Sequence, residues 1–173
     1  MSLTELFYSL SQALLHPVLW AIYAAFIYSL FEVGRFFAQW VIRAFNASDF
    51  VAMHHDDGVK GITGYPVTLF HSRQSKANLN DIEVFAFKKL ENIKIVTRVT
   101  PMLGLIATLI PMGPALMALT ENNVVEMSEH LRTAFTAVIL ALAAASLTFW
   151  VASVKKRWFA EEIVVIEKRL PKE

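Results

Sequence analysis

The chain has 173 residues, enough for one domain, with 55% hydrophobic and 18% charged residues, a net charge of +1 and a mean hydropathy of +0.46. A soluble domain carries about 25% charge; here the deficit falls in three long segments, which marks a membrane protein rather than a large core. Near-neutral charge argues against a nucleic-acid partner, and the absence of cysteine excludes disulfides, thiolate metal sites and thiol nucleophiles.

Leu3, Leu6, Phe7, Leu10, Ala13 and Leu14 recur at helical spacing and predict an amphipathic helix lying at the membrane surface. Glu5 is the first charge and no small-residue cleavage site follows, so this segment is expected to stay in the mature protein. Pro17 opens a new helix or kinks the first. A membrane-crossing helix is predicted over about 17–37, with Trp20, Tyr23 and Tyr28 as interfacial aromatics. Glu32 and Arg35 lie three apart on one face and are expected to pair at the membrane edge. The pattern continues through Phe36, Trp40 and Phe45, carrying the helix out of the bilayer.

Gly58, Gly61, Gly64 and Pro66 break any long element in the next stretch. It reads as a loop with room for a short helix, or for a short strand over 67–70. His54, His55, Asp56 and Asp57 offer four ligand types in a row, but adjacent residues rarely converge on one metal and no second cluster completes a tetrahedral set. A solvated loop is the expectation, with no metal and no cofactor. Asn80 and Glu83 form a capping-box pattern. Behind it Ile82, Ala86, Leu90, Ile93 and Val96 predict a soluble amphipathic helix that leads without a break into the next run.

That run, 99–120, holds 22 residues and no charge, enough to cross a hydrocarbon core of about 30 Å. Pro101, Gly104, Thr108, Pro111, Gly113 and Pro114 interrupt its Leu/Ile/Met background. A lipid-facing anchor has no need of them; a helix packed against protein tolerates them, because neighbours re-satisfy freed backbone groups. A short acidic connection, 120–132, precedes a third uncharged run at 133–154. Lys155, Lys156 and Arg157 end that run and are expected to anchor at anionic headgroups. A helical extension is predicted over 155–170.

Lysine and arginine number nine between Arg35 and Arg98 and six after Val154, against one in 120–132 and none in the first 16 residues. The positive-inside rule therefore predicts an outer N-terminus, with 46–98 and the C-terminus in the cytoplasm. Small residues recur in both later runs: Thr100, Gly104, Thr108 and Ala115 in one, Thr133, Ala137, Ala141 and Ala145 in the other. Such stripes let helix backbones approach closely. They serve plain packing within one chain or the narrow wall of a pore. No nucleophile elbow, H-E-x-x-H, P-loop or dinucleotide turn is present. A membrane enzyme therefore has no supporting residues beyond the His-Asp run.

The stretch P-M-L-G-L-I-A-T-L-I-P-M-G, 101–113, resembles the second membrane helix of the MotA/TolQ/ExbB proton-channel family, whose pattern is roughly A-P-L-L-G-L-x-G-T-V-x-G. Pro101, Leu103, Gly104, Leu105 and Thr108 fall on it; Ala107 replaces a glycine, and Pro111 lies outside the pattern. Three spans with a cytoplasmic C-terminus resemble the TolQ/ExbB branch. The third span matches E-A-L-x-A-T-A-x-G-L in either of two registers. One places Thr133 at the glutamate and Val138 at the threonine; the other places Thr136 at the threonine and Leu131 at the glutamate. Neither register supplies the acidic residue.

The resemblance implies an all-α membrane protein of the plasma membrane, a single domain over 1–173. Its three spans (about 17–37, 99–119 and 133–154) and long cytoplasmic helical extensions build an oligomeric ring, usually of five copies. It implies a second protein inside the ring, an ExbD/TolR/MotB-like single-span chain in two copies, whose membrane aspartate carries the ion, on family grounds a proton. Thr108, Thr133 and Thr136 are then the expected pore-wall hydroxyls. Pro101, Gly104, Pro111, Pro114, Ala137 and Ala141 are expected to shape helix packing. The alternative is a non-conducting membrane scaffold that binds a partner through its cytoplasmic helices.

Overall fold

In the computed structural model, residues 3–52, 63–73 and 78–168 are described. Every regular element among them is a helix: α1 (Leu3–Phe45), α2 (Ala47–Ala52), α3 (Pro66–Arg73), α4 (Leu79–Thr120) and α5 (Val124–Glu167). The helices α1, α4 and α5 hold 43, 42 and 44 residues, and each is long and apolar enough to cross a membrane. At a rise of 1.5 Å per residue each is about 65 Å long, twice a hydrocarbon core of about 30 Å. The chain is a multi-pass membrane protein.

Several boundaries differ from the sequence expectation, each for a local reason. Helix α1 runs unbroken through Pro17, so the predicted surface helix and first span are one element. Proline removes one intrahelical bond of a ladder that continues on both sides. Helix α3 is the short helix for which that stretch had room, in place of the strand considered for 67–70; Pro66 takes the first helical position, where its missing N–H is not needed. Helix α4 starts at Leu79, before the predicted cap. The side chain of Asp81 accepts from the backbone N–H of Asn78 at 3.2 Å, so the box is Asn78-x-x-Asp81 rather than the pair at 80 and 83.

Helix α5 begins nine residues ahead of the uncharged run. Only Glu121, Asn122 and Asn123 separate it from α4. Asn122 adopts a left-handed φ of 54°, and the amides of Asn122 and Asn123 donate to Leu119 and Ala118 at 3.2 and 2.9 Å, closing α4 in a Schellman motif. Asn123 then caps α5: its Oδ1 accepts from the Glu126 amide at 3.2 Å and its Nδ2 donates to Glu126 Oε2 at 2.8 Å.

The chain divides into two compact units. The first, Met1–Phe31 with Ile95–Thr148, buries Val18 and Ile22 of α1, Ala107 of α4, and Ala137 and Ala141 of α5. Its large side chains point outward, among them Trp20, Ile27, Leu105, Leu116, Phe135 and Ile139. Small inside and large outside is the reverse of a water-soluble bundle and suits lipid surroundings, where close backbone packing replaces the hydrophobic drive. The second unit, Glu32–Lys94 with Phe149–Glu173, has an ordinary core of Phe36, Val67, Ile82, Leu90, Trp158 and Ile166. There Phe36 stacks on Trp158 at 5.1 Å and meets Trp150 edge-on at 5.0 Å.

Candidate functional site

In the first unit α4 meets α5 through small residues. A Cβ on Gly104 would stand 2.8 Å from the Cβ of Ala141 and 3.5 Å from Val138 Cγ2. The glycine therefore exists for close approach, with Ala107, Ala137 and Ala141 fully covered beside it. Pro111 is buried, Pro101 and Pro114 are half-buried, and α4 stays helical through all three. These positions, predicted as packing residues, lie on or beside the packed face. One hydroxyl pair links the two helices: Thr97 Oγ1 donates to Thr148 Oγ1 at 3.0 Å. Neither residue stands out in the sequence.

The three predicted pore-wall threonines do not gather in one place. Thr108 is half-buried on α4, one position past the buried Ala107, and its hydroxyl donates to Leu105 O at 2.8 Å. Thr133 and Thr136 are exposed on α5, bonded back to Glu129 and Arg132 carbonyls. They line an open groove of about 210 Å³ between α1 (Leu19, Ile22, Tyr23) and α5 (Arg132, Thr133, Thr136, Ala137, Leu140). No α4 residue lines it. On α5, Val138 stands with Ala141 beside Gly104. In one of the two registers the Val138 position takes the family's threonine.

The second unit holds two buried ion pairs that the sequence reading missed. Lys155 Nζ lies 2.8 Å from Glu32 Oε2, with both side chains almost fully covered. Lys155 was expected at lipid headgroups; it is instead the buried partner of Glu32, while Arg157 is exposed. The expected Glu32–Arg35 pair also forms, at 3.3 Å, with Arg35 more than half exposed.

Deeper in that unit Arg43 Nη1 donates to Glu162 Oε1 at 2.6 Å. The other carboxylate oxygen accepts from the amides of Val67 and Thr68 at 2.8 and 3.2 Å, in the first turn of α3. A carboxylate at a helix N-terminus is favoured by the orphan amides and the helix dipole. The Arg43 guanidinium also lies over the rings of Tyr65 (3.9 Å) and Trp158 (4.7 Å). Burial pushes the Glu162 carboxyl above its ordinary value, opposed by the Arg43 hydrogen bond and charge and by the two amides. Burial likewise raises the Tyr65 phenol, against the lowering effect of Arg43. A signal existed: Glu32, Phe36, Gln39 and Arg43 share one helical stripe, and Lys155, Trp158, Glu162 and Ile166 share another. Charges on a stripe that also carries core aromatics are candidates for buried pairs. The run of His54, His55, Asp56 and Asp57 lies outside the described residues.

Residues 71–168 match the model of the MotA/TolQ/ExbB proton channel family. No curated protein matches the chain. No solved structure matches it either.

Proposed function

The chain belongs to the MotA/TolQ/ExbB proton channel family, and on that premise we propose that it is the channel-forming subunit of a motor complex driven by an ion gradient, with the proton as the ion. The family match across α4 and α5 is the observation that carries this reading. Copies of the chain form a ring, five in number, in which α4 and α5 supply the wall. A single-span ExbD/TolR/MotB-like protein, in two copies, stands within and brings the carboxylate that takes up and releases the ion. Such a carboxylate is required from outside, because neither 99–120 nor 133–154 contains an Asp, Glu, Lys, Arg or His. The ring sits in the plasma membrane with the N-terminus outside and the C-terminus in the cytoplasm.

Thr108 is the wall hydroxyl on which the proposal rests. It stands on α4 next to the α4–α5 contact and is half-open to a neighbour. Thr133 and Thr136, proposed from the sequence for the same wall, stand in the α1–α5 groove and are not needed by it.

The test is the native mass of the detergent-purified complex, alone and co-expressed with its genomic neighbours, followed by ion flux in liposomes. Five copies that gain two copies of a small single-span protein, and pass protons only together with it, support the reading. A monomer or dimer that recruits nothing removes the pore. A complete complex without flux leaves the scaffold, the reading favoured by the absence of an acidic residue in the runs 99–120 and 133–154.

A further inference from the structure

We propose that the α1–α5 groove of the first unit is a binding site for one zwitterionic phospholipid, with its phosphate on Arg132, its ammonium on Glu129 and one acyl chain between the two helices. The inference rests on the membrane reading and is independent of the pore. In the groove, about 210 Å³ in volume, Arg132, Thr133 and Thr136 of α5 give way to the apolar Ala137 and Leu140, facing Leu19, Ile22 and Tyr23 of α1.

Its depth fits one leaflet. Arg132 and Leu140 are eight residues apart on α5, about 12 Å at the helical rise, against about 15 Å for half of the hydrocarbon core. The charge pattern assigns its mouth to the headgroup level. Arg132 immediately precedes the uncharged run 133–154, and Leu19 lies three residues past His16 on α1.

The charges at the mouth select the headgroup. Arg132 also lines an adjoining hollow of about 310 Å³ with Glu129, Ser128, Val124 and Val125. Glu129 and Arg132 stand three apart on α5, where such side chains ordinarily pair. Among the described residues neither takes part in an ion pair; the nearby pair is His130 with Glu126, at 3.9 Å. One open cation beside one open anion complements a phosphate joined to an ammonium. An anionic headgroup would meet Glu129, and also Glu126 one turn away, as repulsive neighbours.

The test uses the full chain in mild detergent, native mass spectrometry, and added palmitoyl-oleoyl phosphatidylethanolamine, with phosphatidylglycerol as the headgroup control. The wild type is expected to keep one phosphatidylethanolamine per chain and to prefer it to phosphatidylglycerol. Arg132→Gln weakens retention about tenfold, the scale of one lost charge-assisted hydrogen bond, while Arg132→Lys keeps most of it. Thr136→Trp fills the groove and abolishes retention with helicity and elution unchanged. Glu129→Gln erases the headgroup preference. A wild type that keeps no lipid, or retention untouched by Thr136→Trp, overturns the site. Equal retention of the two lipids overturns the zwitterion assignment. Efficient cross-linking between Tyr23→Cys chains by a short bis-maleimide gives the groove to a second copy and overturns it as well.

Discussion

Gly104 offers the sharpest test of how α4 and α5 fit. A Cβ there would stand 2.8 Å from the Ala141 Cβ, whereas carbons rest at about 3.5–4.0 Å, so the helices must part by about 0.7–1.2 Å. Overpacking of that kind costs about 1–3 kcal/mol, and alanine returns about 0.8–1.0 kcal/mol of helix propensity over glycine. Gly104→Ala is therefore expected to destabilise by about 0–2 kcal/mol, and Gly104→Val by more, because it adds two further carbons at the contact and a weaker helix former. The decisive comparison is the double mutant. Ala141→Gly alone loses helix propensity; combined with Gly104→Ala it moves the methyl across the interface and restores the space. The pair should couple by about 1–2 kcal/mol, within the range for residues in contact. Unfolding in mild detergent followed by circular dichroism measures all four proteins. Strictly additive single mutants would refute the contact, because the clash exists only when both Cβ atoms are present.

Thr108→Val should leave the ring's mass unchanged and lower ion-coupled work, read as proton flux in liposomes holding the partner; wild-type flux counts against a pore-wall hydroxyl. Thr136→Val, on a different face, should leave the same flux unchanged. Arg43→Met strands the fully buried Glu162 carboxylate and should cost about 3–5 kcal/mol in unfolding, while Arg43→Met combined with Glu162→Leu should recover part of it. Phe36→Ala opens a cavity between Trp150 and Trp158 and should cost about 3–5 kcal/mol, with loss of the near-ultraviolet signal of the stacked rings.

What the sequence revealed followed from period and run length. The three uncharged runs appear as three long helices because length and apolarity suffice to specify a span. The Gly104 stripe was legible because small residues at i, i+4 have one common physical use. The start of α5 was not legible from hydropathy, since Glu126, Glu129 and Arg132 interrupt the apolar pattern, although Asn123-x-x-Glu126 is the same cap signature that was read at 80–83. The buried pairs were missed for a different reason. A charge is assigned to the surface by default, and only a partner distant in sequence makes burial affordable; Glu162 and Arg43 are 119 residues apart. The threonines separated because a register on one helix says nothing about which neighbour that face meets. Thr136 turns to α1, and Val138 turns to Gly104.

The distribution of charge supports a division of labour within the chain. The second unit tolerates four buried charged groups because each finds a partner and, for Glu162, two backbone amides. Those pairs are fixed: a buried carboxylate already bonded to Arg43 and to a helix terminus has no free geometry in which to hand a proton on. The stretches of α4 and α5 in the first unit that are free of charge offer only hydroxyls, and each of Thr108, Thr133 and Thr136 already donates to its own helix. A hydroxyl in that state retains its oxygen lone pairs as acceptors. It can receive a hydrogen bond from a protonated carboxyl and does not itself need to ionise. In the ring proposed above, Thr108 would present such an acceptor to a partner's neutral carboxylic acid, in a wall with no fixed charge to trap the ion midway.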